Sequence, residues 1–120
     1  MTHKTYADFV ADAKTRIGET SPSDALAMRE RGESVTFLDV REPNEAGLGR
    51  IPGAVVIPRG LLEQNVDGAV SRDIPVVVYC ASGNRSALAA DVMQQMGYTR
   101  VTSLARGFRG WVEAGGDVEG

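Results

Sequence analysis

Short apolar runs alternate along this chain with segments whose apolar residues have helical spacing. Apolar or alternating runs predict five strands, at 17–20, 35–40, 54–57, 74–79 and 99–103. Apolar spacing and end signals predict helices over 5–16, over 22–31, around 61–66, over 87–96 and around 108–112. Because strands and helices alternate, the pattern predicts an α/β domain of three layers, α/β/α, with a mainly parallel central sheet of about five strands.

The first two predicted helices carry further signals. An amphipathic helix over 5–16 is indicated by the apolar positions Tyr6, Phe9, Val10, Ala13 and Ile17. The second helix begins after Ser21, which is a good N-cap, with Pro22 at its first position. The apolar side of the first helix covers the sheet or forms a dimer contact, and the sequence leaves both possibilities open.

The stretch from Ile74 to Met96 joins a strand, a loop and a helix around a single cysteine. The strand ends at Cys80, and the small, polar or glycine residues of 81–86 predict a loop before the next helix. Backbone N–H groups in such a loop point at one spot, and the positive end of the helix dipole adds to them. Gly83 permits a left-handed turn there. We therefore expect an anion pocket with Cys80 as a thiolate nucleophile beside Arg85.

Cysteine and histidine usage restricts the chemistry further. Cys80 is the only cysteine, which excludes an intramolecular disulfide and a metal site built from cysteines alone. A buried structural cysteine beside a solvated arginine is the simpler alternative, and the combination of strand, loop, arginine and helix argues against it. His3, the only histidine, lies in the tail before the first helix, so we expect no cysteine–histidine protease site. A free reactive thiol favours the reducing cytoplasm.

Composition and charge limit the classes of protein. The 120 residues, 42% of them hydrophobic, suffice for one domain over 1–120 and are too few for a tandem pair. A net charge of −3 offers no basic surface, so neither nucleic acid nor a membrane is expected as a partner. The N-terminal segment has early acidic residues and no continuous apolar core, so we expect no signal peptide or membrane span there.

Three segments of the chain resemble the rhodanese superfamily of single-domain sulfurtransferases. YCASGNRSALAA, at 79–90, is similar to the family's active-site loop, and LDVREPNEAGLGRIPGAVVIP, at 38–58, is similar to its second signature. The segment 104–111 resembles the family's closing turn and helix, so that the similarity spans about 80 residues in order. Two positions depart from the family: Arg50 replaces a common histidine, and Ala-Arg-Gly at 105–107 replaces a glycine pair. A role of that histidine therefore cannot be transferred to this chain.

The resemblance implies a transferase of sulfur metabolism that moves sulfane sulfur from a donor such as thiosulfate to cyanide or a thiol, including a protein thiol. Cys80 would carry the sulfur as a persulfide in a ping-pong reaction that needs no metal or organic cofactor. Arg85 would hold the sulfonate end of the donor. Arg59, which follows a strand end, is a candidate for a second positive group over the pocket, with an ordinary surface charge as the alternative.

The resemblance also suggests roles for the loop and for a second cluster of charged residues. N–H groups and hydroxyls of the loop would bind the substrate, and the candidates are Ala81, Ser82, Gly83, Asn84 and Ser86. A catalytic acid, anion clamp and base are one interpretation of Asp39, Arg41 and Glu45. The resemblance favours the other interpretation, an ion-pair framework that supports the loop.

Three alternatives to a sulfurtransferase stay open. A cysteine-dependent phosphatase or arsenate reductase also places a thiolate beside an arginine, but such enzymes have five residues between the two, whereas Cys80 and Arg85 have four. A persulfide carrier for one partner protein would share the first chemical step. A non-catalytic rhodanese-like binding module would need neither Cys80 nor Arg85, and the chain has both.

Overall fold

The computed structural model describes residues 3–120. In chain order the elements are α1 (Tyr6–Lys14), β1 (Gly18–Thr20), α2 (Pro22–Glu30), β2 (Thr36–Asp39), α3 (Pro43–Gly47), β3 (Val55–Val56), a 3-10 turn (Arg59–Leu61), α4 (Leu62–Ala69), β4 (Val76–Tyr79), α5 (Asn84–Gln95), β5 (Val101–Leu104) and α6 (Gly107–Glu113). Ser21 caps α2 by accepting a hydrogen bond from the N–H of Asp24, with Pro22 at the first helical position.

The five strands form one parallel sheet in the order β1-β5-β4-β2-β3. Every residue of β4 is buried, because β2 and β5 pair with it on either side and helices cover both faces of the sheet. Asp39 lies beside Tyr79 in the register of β2 with β4, so the carboxyl ends of these two strands meet at one edge. The predicted α/β fold with a parallel five-stranded sheet is confirmed.

Successive side chains of the central strands point to opposite faces of the sheet and so build two apolar clusters. Val76 and Val78 pack with residues of α4 and α5 on one face. Val77 and Tyr79 pack with residues of α2 and α6, including Trp111, on the other face. The chain thus has helices on both sides of the sheet, and the strand ends are left to carry polar groups.

Helix α1 packs against α5 and reaches the carboxyl edge of the sheet with its first turn. It buries Val10 and Ala13, while Tyr6 and Phe9 stay half-exposed. None of the helices within residues 3–120 combines the length and the apolar content needed to cross a bilayer.

The loop after Cys80 is shorter than the sequence predicts. The expected loop covered 81–86, but α5 begins at Asn84, so only Ala81, Ser82 and Gly83 connect it to the strand. Gly83 turns the chain in the left-handed region with a φ of 108°, which glycine adopts without strain. The N–H groups of the first turn of α5 have no partner within the helix, and that of Ser86 donates to the Sγ of Cys80.

The segment after α6 folds back along the face of the sheet that α2 and α6 cover. The indole N–H of Trp111 donates to the carbonyl of Asp117 at 2.8 Å. Arg50 and Glu119 exchange two backbone hydrogen bonds of 2.8 and 3.0 Å, and their side chains form an ion pair at 3.3 Å. The residue that replaces the family's histidine is therefore held by the C-terminal segment.

Candidate active site

Cys80 follows the central strand β4, and its thiol is buried within the loop that it begins. Its Sγ accepts hydrogen bonds from the N–H of Gly83 at 3.1 Å and from the N–H of Ser86 at 3.4 Å. The Ser86 hydroxyl lies 3.5 Å from the same sulfur and 2.8 Å from the hydroxyl of Ser103. The helix start and the loop thus surround one sulfur atom with donors.

These contacts determine the ionisation of the thiol. Burial raises the pKa of Cys80, but hydrogen bonds from the Ser86 hydroxyl and from the N–H groups of Ser86, Gly83 and Ser82 together outweigh it, so that the pKa is lowered. The positive charge of Arg85 acts on the thiolate more weakly than these hydrogen bonds do. The arrangement favours a thiolate, which is the nucleophilic form of cysteine.

The start of α6 holds the loop from the other side. The N–H of Phe108 donates to the carbonyl of Cys80 at 2.7 Å, and the N–H of Arg109 donates to the carbonyl of Ala81 at 3.2 Å. A Cβ on Gly107 would lie 2.3 Å from the Cys80 carbonyl oxygen, so only glycine fits there. Arg106 precedes it in the left-handed region with a φ of 62°, so the turn keeps a conformation typical of two glycines although one is replaced.

Arg85, in the first turn of α5, forms a two-point ion pair with Glu45 of α3. The two guanidinium nitrogens lie 2.8 and 3.1 Å from the carboxylate oxygens, and about a third of each side chain is exposed. The Arg85 hydrogen bonds hold the pKa of Glu45 at about 2, well below its usual 4.5. The carboxylate also accepts the N–H of Glu42 at 3.1 Å and so caps α3.

Asp39 and Arg41 form a separate, buried pair. The Arg41 guanidinium contacts the carboxylate at 2.7 and 3.0 Å and donates to the carbonyl of Gly49 at 2.7 Å. It also lies 4.5 Å from the centre of the Phe108 ring, which belongs to the helix that holds the loop. The three residues grouped by the sequence are thus divided between two ion pairs, with Glu45 in the other one.

The other residues predicted for the site differ in their exposure and their contacts. Arg59 begins the 3-10 turn after β3 and pairs with Glu63 at 3.0 Å, while its Nε is buried without a hydrogen-bond partner. The side chains of Ser82 and Asn84 are exposed, and His3 is exposed before α1. The backbone N–H of Ser82, rather than its side chain, is the group that acts on the thiol.

Ser103 and Gly107 are functional candidates that the sequence reasoning missed. Ser103 lies on β5 and orients the Ser86 hydroxyl, and Gly107 permits the close approach of α6 to the loop. Ser103 lies on the same face as the Cys80 loop because side chains alternate along β5. No motif near Ser103 in the sequence indicates that it supports the site.

The fold and this site define a parallel α/β domain with a buried, hydrogen-bonded thiol at the carboxyl edge of its sheet. The chain belongs to the rhodanese-like domain family, whose family model matches residues 21–114. The family expected from the sequence is confirmed.

Individual relatives agree with this membership. The chain is 37% identical over 94 residues to a sulfurtransferase from Allochromatium vinosum, covering 78% of this chain and 87% of that protein. It is 36% identical to the thiosulfate sulfurtransferase GlpE of Pseudomonas paraeruginosa, covering 76% and 80% of the two chains. A solved structure from Rhodopseudomonas palustris, described as of unknown function and a possible tyrosine phosphatase, matches with a TM-score of 0.89 at 34% identity, covering 99% and 97%. The relatives thus include sulfurtransferases.

Proposed function

We propose that this protein is a sulfurtransferase that moves sulfane sulfur from a donor such as thiosulfate to a thiophilic acceptor through a persulfide on Cys80. The observation that carries the proposal is the buried Sγ of Cys80 with the N–H donors of Gly83 and Ser86 around it, at 3.1 and 3.4 Å. Such donors stabilise a thiolate before the reaction and a persulfide anion after it. Membership of the rhodanese-like family and the sulfurtransferase relatives support the same reaction.

In the first step the Cys80 thiolate attacks the outer sulfur of thiosulfate. A bond forms between Sγ and that sulfur, and the bond to the sulfonate sulfur breaks with its electron pair leaving on sulfite. No proton and no outside oxidant are needed, because the thiolate and the dianion give a persulfide anion and sulfite dianion. Arg85 holds the sulfonate oxygens with N–H groups that the Glu45 pair leaves available, since an arginine has five donors.

In the second step a nucleophile attacks the outer sulfur of the persulfide and restores the Cys80 thiolate. Cyanide yields thiocyanate, and a small thiol or a protein thiol yields a new persulfide. Because the first product leaves before the acceptor reacts, the kinetics are ping-pong. Arg59 is the second candidate cation for the donor, and the loop residues 81–86 act mainly through backbone N–H groups.

A persulfide carrier is the alternative that shares the first step, and it differs by turning over slowly with cyanide and rapidly with its own acceptor. Phosphatase chemistry is the more distant rival, because one structural relative is described as a possible tyrosine phosphatase. The four residues between Cys80 and Arg85 favour sulfur transfer over phosphate transfer. We place the reaction in the cytoplasm, where a nucleophilic thiol stays reduced.

Intact-protein mass spectrometry under non-reducing conditions tests the proposal. The reduced protein is measured before and after thiosulfate, with Cys80→Ser as the control. We expect one added sulfur, about 32 Da, on the wild type alone, and its removal by cyanide. The proposal fails if no sulfane donor adds sulfur to a folded protein whose Cys80 still reacts with an alkylating agent.

A further inference from the structure

Three arginines at the carboxyl edge of the sheet are each paired with a carboxylate. The pairs are Arg41 with Asp39, Arg59 with Glu63 and Arg85 with Glu45. All three arginines lie just beyond the carboxyl end of a strand or at the start of the following helix, which is the edge where Cys80 lies. These three arginines therefore add little net positive charge to the site.

The negative charge of the Cys80 thiolate makes the binding of a highly charged donor less favourable. Its own negative charge is compensated by the N–H groups of Gly83 and Ser86, which are directed at the sulfur and are no longer free for a second anion. Thiosulfate carries two negative charges, so its approach to the thiolate is opposed twice as strongly as that of a singly charged donor.

Glu45 is the carboxylate with the strongest influence on the donor. It contacts Arg85 at two points, and its side chain is about one-third exposed, so a donor that reaches Arg85 also meets the Glu45 charge. Asp39, by contrast, is fully buried and is paired with Arg41. The carboxylate of Glu45 stays ionised at all neutral and mildly acidic pH values, because its pKa lies at about 2.

We infer that Glu45 is a specificity-determining residue that turns the site away from the thiosulfate dianion and toward sulfane-sulfur donors with one charge or none, such as thiosulfonates and alkyl persulfides. The inference rests on the proposed function, since it concerns the donor of the same reaction. The chemistry balances for a thiosulfonate as it does for thiosulfate: the Cys80 thiolate bonds to the outer sulfur, and the sulfonyl–sulfur bond breaks with its electron pair leaving on a sulfinate anion.

Two donors of similar shape and different charge test the inference. Methanethiosulfonate has a methyl group where thiosulfate has an anionic oxygen, so it carries one negative charge and the same transferable sulfur. We compare kcat/KM for the two donors in the wild type and in Glu45→Gln, at low and at high ionic strength. Glu33→Gln is the matched control, because it removes one charge from an arginine pair at the opposite edge of the sheet, where Glu33 contacts Arg31 at 2.5 Å.

The expected changes follow from the charge of each donor. Glu45→Gln raises kcat/KM by about 4- to 10-fold for thiosulfate and by about 2- to 3-fold for methanethiosulfonate, because Coulomb energy is proportional to the donor charge. High salt reduces both gains, and Glu33→Gln leaves kcat/KM unchanged for both donors. Equal changes for the two donors, or an equal loss for both, overturn the inference and leave Glu45 as a residue that only positions Arg85. A wild type inactive with both donors contradicts the proposed function instead.

Discussion

Two arginine–carboxylate pairs lie at the same edge of the sheet and differ in how far their side chains are exposed to solvent. The pair of Asp39 and Arg41 is buried, with 0% and 6% of the side chains exposed, whereas Glu45 and Arg85 keep 33% and 32% exposed. The buried pair joins residues two apart in the chain, and the exposed pair joins residues 40 apart. The same kind of ion pair can therefore serve two purposes at one site.

Burial decides which purpose each pair serves. A buried pair cannot meet a ligand. Arg41 also donates to the Gly49 carbonyl, and its guanidinium lies over the Phe108 ring. A partly exposed pair gains little stability from its attraction, because solvent screens it, but its arginine can bind a donor. We therefore expect the first pair to control folding and the second to control sulfur transfer.

Breaking the buried pair should produce the largest effect. Arg41→Met leaves the Asp39 carboxylate buried and unpaired, and we expect the free energy of unfolding to fall by about 3–5 kcal/mol. Urea denaturation of the wild type and the variant measures the loss. A double variant that also replaces Asp39 with leucine should recover part of it, since no buried charge then stays unpaired. A loss below about 1 kcal/mol would show that the buried pair does not support the fold.

Breaking the exposed pair should affect activity and leave stability nearly unchanged. For Arg85→Met we expect a 10- to 100-fold lower kcat/KM with thiosulfate, roughly the value of a charge-assisted contact to the donor, and less than about 1 kcal/mol of lost stability. Arg85→Lys should restore part of the activity. An unchanged kcat/KM in a folded Arg85→Met protein would show that Arg85 does not bind the donor.

Hydrogen bonds, more than the charge of Arg85, should set the acidity of the Cys80 thiol. Ser86→Ala removes the hydroxyl hydrogen bond that lowers the pKa of Cys80, so the pKa should move upward. The pH profile of Cys80 alkylation should shift to higher pH in this variant, and by less in Arg85→Met. Ser82→Ala is the control, because the Ser82 side chain is exposed and the backbone N–H that acts on the thiol is kept. A larger shift in Arg85→Met would mean that charge rather than hydrogen bonding controls the thiolate.

The smallest expected effect concerns stability in acid. Glu45 has a pKa of about 2 in the folded protein against a usual 4.5, so its pair contributes stability above pH 4.5 that is lost as the pH falls towards 2. Because the carboxylate is partly exposed, we expect only about 1 kcal/mol of this loss to come from Glu45. Urea midpoints at pH 7, 4 and 3 should therefore fall less steeply in Glu45→Gln. Parallel curves for the two proteins would show no such contribution.

The sequence predicted the five strands and every α-helix except α3, because their signals are local. The five strands, the start of α2 after Ser21 and the position of Cys80 at the end of β4 follow from apolar periodicity, capping residues and motif spacing. The length of the Cys80 loop was wrong, since polar residues at 84–86 belong to the first turn of α5. Composition alone cannot distinguish a polar loop from the polar first turn of a helix. Both direct backbone N–H groups at the same site.

The sequence by itself thus determined the parallel α/β fold, the family and the thiol at the edge of the sheet, because these depend on patterns within short stretches. Only the tertiary structure decided which carboxylate neutralises Arg85, that Ser103 supports Ser86, and that Gly107 carries the start of α6 onto the Cys80 carbonyl. These contacts join residues 17 to 40 positions apart. The physical reason is that charge pairing and close packing depend on distance in space, which the topology of the sheet sets and the order of residues does not show.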